Sequence, residues 1–132
     1  MSSSPPSYAF HPGDPPPDFN CTARPQGPGV TRVSLSGELD MLSASCLGDA
    51  LADAAHGSMA VILDLSQLTF MDSSGLHAIL TARNRLSEAG CRFVILRGSH
   101  QVQRLFELSG VDGVLEFVSV REGGDLAAIP SS

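Results

Sequence analysis

The sequence predicts an α/β domain in which a mixed sheet, opened by a hairpin, carries its helices on one face. Residues 59–63 and 93–96 are unbroken apolar runs, which is typical of strands buried on both faces of a sheet. Segments with helical spacing of apolar residues follow both runs. Strands and helices alternate at lengths that suit right-handed crossovers, and such crossovers place helices against the sheet.

The chain has 132 residues, which is room for one domain. Eight of its nine prolines lie within residues 1–28. Residues 1–18 are rich in Ser and Pro and lack periodicity, so we predict that they are disordered. The predicted domain spans residues 19–129, and residues 130–132 form a short tail.

The N-terminal elements are predicted as a hairpin followed by a helix. Residues 19–23 and 30–36 are the two strands, and the turn-rich segment 24–29 joins them. Residues 37–40 are expected to leave the second strand. Ser43 is the predicted N-cap of a helix that ends at His56 and Gly57.

The remaining elements follow the same alternation. We predict a strand at 59–63 that Asp64 closes, and a helix after Gly75 that ends at Gly90. A strand at 93–96 precedes a third helix, which ends at Gly110. Residues 114–117 are predicted as the last strand and residues 122–129 as a short helix.

Composition argues against several classes of protein. The longest apolar run has five residues, 59–63, whereas a membrane-spanning helix needs about 20. The first residues lack a positively charged region followed by an apolar stretch, so we expect no secretory signal. The net charge is −6 and no basic stripe is present, which argues against direct binding of nucleic acid.

Metal and catalytic motifs are also absent from the sequence. The three cysteines form no CxxC pair and the four histidines no HExxH pair, so we expect no metal site and reduced thiols in a cytosolic protein. Asp40, Asp64 and Asp72 do not have the spacing of a calcium loop. Ser73, His100 and Asp64 supply the residue types of a hydrolase triad, but no G-x-S-x-G elbow accompanies them.

The most informative segment is 64–76, which follows a buried strand and opens a helix. Ser73 and Ser74 lie at or near the predicted N-cap, where Ser and Asp side chains accept bonds from free backbone N–H groups. A second interpretation is phosphorylation, because a helix N-terminus tolerates phosphate. Phosphoserine would add a charge of about −1.5 to −2 beside Asp72, and also beside Asp40 if residues 37–40 lie nearby.

Three segments together resemble the STAS domain family, and within it the bacterial anti-sigma factor antagonists. Residues 36–40 read Ser-Gly-Glu-Leu-Asp, residues 71–76 read Met-Asp-Ser-Ser-Gly-Leu, and residues 104–110 read Arg-Leu-Phe-Glu-Leu-Ser-Gly. They occur in the order of the family, and the resemblance spans residues 19–129.

The resemblance implies a STAS-like single domain with a four- to five-stranded mixed sheet, helices packed on one face, no catalytic activity and no cofactor. In this family the unphosphorylated protein binds an anti-sigma factor that is also a serine kinase, and so releases a sigma factor. The kinase phosphorylates the first Ser of the D-S-S-G motif, which ends binding, and a metal-dependent serine phosphatase reverses the modification. On this chain the matching acceptor is Ser73, with Ser74 as the second choice.

The same resemblance implies a partner-binding surface on a cytoplasmic protein. Its residues on this chain are Asp40, Asp72, Ser74, Gly75 and His77. His77 departs from the family pattern, which often has a small residue there, and it either reshapes the partner surface or is an ordinary exposed helix residue. The alternative function is a docking subunit of a stress-signalling assembly or a lipid-transport complex, without a phospho-switch.

Overall fold

A computed structural model describes residues 18–111 and 113–118 of the chain. The predictions for residues 1–17 and for a helix at 122–129 lie outside the described residues. The described elements alternate after an initial hairpin, and none of their helices is long and apolar enough to cross a membrane. In chain order they are β1 (Phe19–Pro25), β2 (Val30–Leu39), α1 (Ala44–Ala55), β3 (Ala60–Met71), α2 (Ser73–Glu88), β4 (Arg92–Leu96), α3 (His100–Leu108) and β5 (Phe117–Val118).

The strands form one mixed sheet in the order β1-β2-β3-β4-β5. β1 pairs antiparallel with β2 through a tight turn in which the Gln26 N–H donates to the Val30 carbonyl at 2.8 Å. The other neighbouring pairs are parallel, and each is joined through a helix. The predicted mixed α/β sheet with an N-terminal hairpin is therefore confirmed.

The three described helices pack against one face of the sheet. Each buries an apolar stripe, represented by Leu51 of α1, Ile79 of α2 and Phe106 of α3, in a single core. The strands contribute the alternate residues Val33 and Leu35 of β2, with matching residues of β3 and β4. The prediction of helices on one face is confirmed for these elements.

The second face of the sheet holds a smaller apolar cluster. Ile62 and Leu96 are buried there against Val30 and Val118. Because Ile62 and Leu63 point to opposite faces and both have no exposed surface, the predicted burial of this strand on both faces is confirmed. Met59 is the exception, since it precedes β3 and is 75% exposed.

β3 continues well beyond the predicted end at Asp64. Two bulges explain the difference: β3 has one extra residue between the partners of Ser34 and Ser36, and another between the partners of Gly37 and Glu38. Each bulge shifts the alternation, so Leu65, Leu68 and Met71 all reach the core at spacings of three. In the sequence this loss of period two looks like the end of the strand.

Three smaller predictions also need correction. Residues 37–39 do not leave β2, because they continue to pair with β3 across the second bulge. Ser43 is the N-cap position of α1, but its side chain makes no capping bond. The last strand does not begin at Val114, which lies in a turn where its N–H donates to Val111 at 2.9 Å.

An ion pair between Arg32 and Asp64 joins β2 to β3 on the second face. The Arg32 Nη2 atom lies 2.5 Å from Asp64 Oδ2, and the Ser66 N–H donates to Asp64 Oδ1 at 2.8 Å. Burial pushes the pKa of Asp64 upward, but the hydrogen bonds from Ser66 and Arg32 outweigh it and hold the pKa below its ordinary value. The carboxylate thus stabilises both the strand pair and the first bulge.

Replacing Asp64 with Asn is expected to lower the free energy of unfolding by about 1–3 kcal/mol at pH 7, because charge-assisted hydrogen bonds are lost. Since folding lowers the pKa of Asp64, its contribution is present above about pH 4 and disappears as the pH falls through the lowered pKa. Urea unfolding, followed by circular dichroism between pH 7 and pH 2.5, measures the difference in the free energy of unfolding between wild type and Asp64→Asn. Asp49→Asn, at an exposed position on α1, is the control. A difference in the free energy of unfolding that stays the same across this pH range would contradict this explanation.

Candidate functional site

The candidate site lies where β2 and β3 end and the helices α1 and α2 begin. β2 ends at Leu39 and β3 at Met71, and these two residues are partners in the parallel register. The Asp72 N–H then donates to the Leu39 carbonyl at 3.1 Å. This bond brings the D-S-S-G segment beside residues 37–40, which read Gly-Glu-Leu-Asp, and so brings Asp40 near Asp72.

The N-terminus of α2 is capped by Asp72 and not by the serines. Asp72 Oδ1 accepts the N–H groups of Ser74 at 2.9 Å and Gly75 at 3.1 Å. Ser73 is exposed, and the hydroxyls of Ser73 and Ser74 make no hydrogen bond to any described residue. The capping interpretation therefore applies to Asp72, and the Ser73 hydroxyl has no structural task in the helix.

Gly75 allows α2 to begin directly against the end of β2. A Cβ atom at this position would lie 2.7 Å from Leu39 Cγ and 2.9 Å from the Leu39 carbonyl oxygen. Real Cβ atoms do not approach other atoms so closely, so any larger residue would push the helix away from the strand. Gly75 is thus a packing requirement of the segment that presents Ser73.

The loop after β2 is fixed by Asp40 and Ser43. Asp40 Oδ1 accepts the Leu42 N–H at 3.0 Å. The buried Ser43 hydroxyl accepts the Asp40 N–H and donates to the Glu38 carbonyl, both at 2.9 Å. Asp40 thus shapes the loop beside the start of α2, and the loop leads directly into α1.

The fixed loop holds two large apolar side chains in solvent. Met41 is 74% exposed and Leu42 is 59% exposed. Large apolar side chains exposed side by side on a rigid loop are typical of a protein-binding surface. The sequence analysis missed both residues; the signal was a Met-Leu pair inside a polar turn between Asp40 and Ser43.

A shallow groove of about 520 Å³ runs between α1 and α2 beside this loop. Ser73 and Ser74 line it, and His77, one turn further along α2, lines it as well. The groove is mostly apolar, and we call it the α1/α2 groove. Its lining residues are Met41, Ala44, Ser45, Gly48, Ser73, Ser74, His77, Ala78 and Thr81.

The structure places each predicted partner-surface residue. Asp40 fixes the loop after β2, and Asp72 fixes the start of α2. Gly75 is buried where α2 meets Leu39 at the end of β2. Ser74 and His77 line the α1/α2 groove, where His77 is exposed. The five residues fall on one edge of the domain, but only the last two face the groove.

Groups with other chemistry lie elsewhere. The Asp64 carboxylate is bound to Arg32 and Ser66, so it is not available to orient a histidine. Burial and the neighbouring Cys46 raise the pKa of the Cys21 thiol to about 11, and burial raises the pKa of Cys91, which disfavours the reactive thiolate in both. Within residues 18–111 and 113–118, no cluster of His, Cys, Asp and Glu side chains is arranged to hold a metal ion.

Comparison with known proteins identifies the family. Residues 23–118 match the family model described as Mlab, STAS domain, so the chain belongs to the STAS domain family. It is 33% identical over 85 residues to the anti-sigma F factor antagonist of Paenibacillus polymyxa, covering 63% of this chain and 73% of that protein. It is 26% identical over 93 residues to the anti-sigma-B factor antagonist of Bacillus subtilis, covering 70% of this chain and 85% of that one.

A solved structure agrees with this assignment. The crystal structure of an anti-sigma factor antagonist from Mycobacterium paratuberculosis superposes with a TM-score of 0.73 at 26% sequence identity. The match covers 87% of this chain and 97% of that chain. Within the STAS family, the chain therefore groups with the bacterial anti-sigma factor antagonists.

Replacing Gly75 with Ala is expected to lower the free energy of unfolding by about 1–3 kcal/mol, because the added methyl group overlaps Leu39. Gly48→Ala in α1 is the matched control, since nothing lies within 4 Å of the Cβ position there. The control is expected to gain about 0.5–1 kcal/mol from the higher helix propensity of Ala. Urea unfolding measures both variants, and equal stabilisation by the two substitutions would refute the packing role of Gly75.

Proposed function

We propose that the chain is a cytoplasmic, non-catalytic anti-sigma factor antagonist controlled by phosphorylation of Ser73. The unphosphorylated form binds an anti-sigma factor serine kinase and so releases a sigma factor. The kinase phosphorylates Ser73, which ends binding, and a metal-dependent serine phosphatase restores the active form. The observation that carries the proposal is an exposed Ser73 hydroxyl that makes no hydrogen bond within the described part of the chain, at the edge of the apolar α1/α2 groove.

The capping pattern supports Ser73 as the acceptor. Asp72 supplies the capping bonds of α2, so a phosphate on Ser73 removes no hydrogen bond that the helix needs. Ser73 is exposed whereas Ser74 is half-buried, which favours Ser73 for entry into a kinase active site and leaves Ser74 as the second choice. We expect the backbone of the two forms to be similar.

The surface around Ser73 supports the binding step. Met41 and Leu42 provide an apolar anchor, and the α1/α2 groove beside them can receive apolar side chains of a partner. Asp40, Asp72 and Gly75 contribute by holding the loop and the helix in position. Ser74 and His77 contribute from the groove itself.

The charge of one phosphate is of the size that such a switch requires. A 100-fold loss of affinity corresponds to about 2.7 kcal/mol. Phosphate adds about −1.5 to −2 charges at the edge of a mostly apolar groove, next to Asp72. A partner that covers this edge would have to desolvate the phosphate, and that cost reaches the required order.

Incubation of the purified chain with ATP and each anti-sigma factor kinase of the same organism tests the proposal. Intact-mass spectrometry with peptide mapping is expected to show one added phosphate, on Ser73, from one kinase. Ser73→Ala is expected to take up none while it still binds that kinase, and Ser74→Ala is the matched control that keeps the modification. Phosphate uptake by Ser73→Ala at the wild-type level would assign the site elsewhere.

Ser73→Asp is expected to bind the kinase more weakly than wild type but less weakly than the phosphorylated chain. The reason is charge, because a carboxylate carries about −1 and a phosphate about −1.5 to −2. Calorimetric titration of the kinase with the three forms measures the order. Stable complexes with all three forms at equal affinity would instead favour the docking-subunit function without a phospho-switch.

A further inference from the structure

We propose that His77 is the intramolecular ligand of a phosphate on Ser73. The imidazolium donates an N–H to a phosphate oxygen and holds the phosphate over the α1/α2 groove. This inference rests on the proposed function only in placing the phosphate on Ser73. It adds a positioning residue to the phosphorylated state and assigns His77 a role that differs from contact with the partner.

The spacing brings the two side chains together. Ser73 and His77 are four residues apart within α2, which spans Ser73–Glu88. Residues at this spacing lie on one face of a helix, with Cβ atoms about 5–6 Å apart. Both residues are exposed and both line the α1/α2 groove, so the phosphate and the imidazole share the same solvent-filled space.

The backbone at the start of α2 offers few free donors to the phosphate. The N–H groups of Ser74 and Gly75 already donate to Asp72 Oδ1, at 2.9 and 3.1 Å. The Leu76 N–H donates to the Asp72 carbonyl at 3.1 Å. Three of the first four backbone N–H groups of α2 are therefore occupied, which leaves the Ser73 N–H, and any further donor to the phosphate has to come from a side chain.

Charge selects His77 as that donor. Among the described residues that line the groove, only His77 has a side chain that can carry a positive charge, and the α1 side offers the uncharged Ala44, Ser45 and Gly48. The Asp72 carboxylate at the start of α2 and the Asp40 carboxylate in the loop after β2 repel a phosphate. Phosphoserine loses its second proton at about pH 6, and a neighbouring cation is expected to lower that midpoint.

Pairing with His77 determines where the phosphate on Ser73 lies. Without a partner cation, a phosphate repelled by Asp72 would turn toward solvent and away from the helix. With His77 as its ligand, the phosphate stays along α2 and covers the part of the groove that His77 lines. The same imidazole is then withdrawn from contact with a protein partner.

The test uses the full chain with phosphoserine incorporated directly at position 73, so that no kinase is needed. ³¹P NMR follows the second ionisation of the phosphate between pH 4.5 and 8 in wild type, His77→Gln, His77→Lys and His56→Gln. His56 is the matched control because it is an exposed histidine at the opposite end of α1. In wild type the phosphate midpoint is expected about 0.3–0.7 pH unit below that of His77→Gln, a two- to five-fold change in the ionisation constant.

The controls distinguish a specific interaction between the phosphate on Ser73 and residue 77 from a general change in the electrostatic potential of the domain. His77→Lys is expected to keep the lowered midpoint, because it restores a cation at the same position, and His56→Gln is expected to match wild type. The same midpoint in wild type and His77→Gln would overturn the proposal and leave the phosphate in solvent. Because the phosphate is installed directly, this failure is distinct from failure of a kinase to modify Ser73, which bears only on the proposed function.

Discussion

The contact between the end of β2 and the start of α2 is the constraint on which the candidate site depends. Leu39 packs where a side chain of residue 75 would otherwise lie, and its carbonyl accepts the Asp72 N–H at 3.1 Å. Because β2 and β3 run parallel, both strands end at this edge, and both following helices begin there. Without the glycine, the helix that presents Ser73 would separate from the loop that presents Met41.

At the contact between β2 and α2, the residues that hold the backbone in position differ from the residues whose side chains are exposed to a partner. Asp72 caps α2, and Asp40 and Ser43 hold the loop; these tasks use the Oδ1 atom of each carboxylate and the Ser43 hydroxyl. Among the described residues, nothing is hydrogen-bonded to the Ser73 hydroxyl or the His77 imidazole, and the apolar side chains of the loop are exposed. A modification can therefore change the charge of the surface while the hydrogen bonds that define its shape remain intact.

Much of the fold could be predicted from the sequence, because the apolar runs and turn residues have simple periods. The mixed sheet, the hairpin and the C-terminal ends of the three described helices follow from these patterns. The length of β3 could not be predicted, because two bulges shift its alternation from two to three residues after Leu65. By residue type, Ser43 is expected to cap α1 through its side chain, but its buried hydroxyl donates to the Glu38 carbonyl instead.

The candidate site was only partly accessible to the same reasoning. The motif placed Ser73 at the start of a helix, but the sequence alone did not decide between capping and modification. The structure assigns the capping bonds to Asp72, and the Ser73 hydroxyl makes no hydrogen bond to another described residue. The sequence analysis missed Met41 and Leu42 because two apolar residues before a helix resemble core positions, although the polar residues on either side indicate a turn; their exposure identifies them.

The affinity of the anti-sigma factor kinase for this chain, with serine or with phosphoserine at position 73, tests the proposed switch most directly. Isothermal titration calorimetry without ATP measures both forms under identical conditions. We expect phosphoserine to weaken binding about 100-fold, the effect of about 2.7 kcal/mol of differential binding. Equal affinities for the two forms would contradict a switch at Ser73 and would assign the α1/α2 groove to docking that phosphorylation does not control.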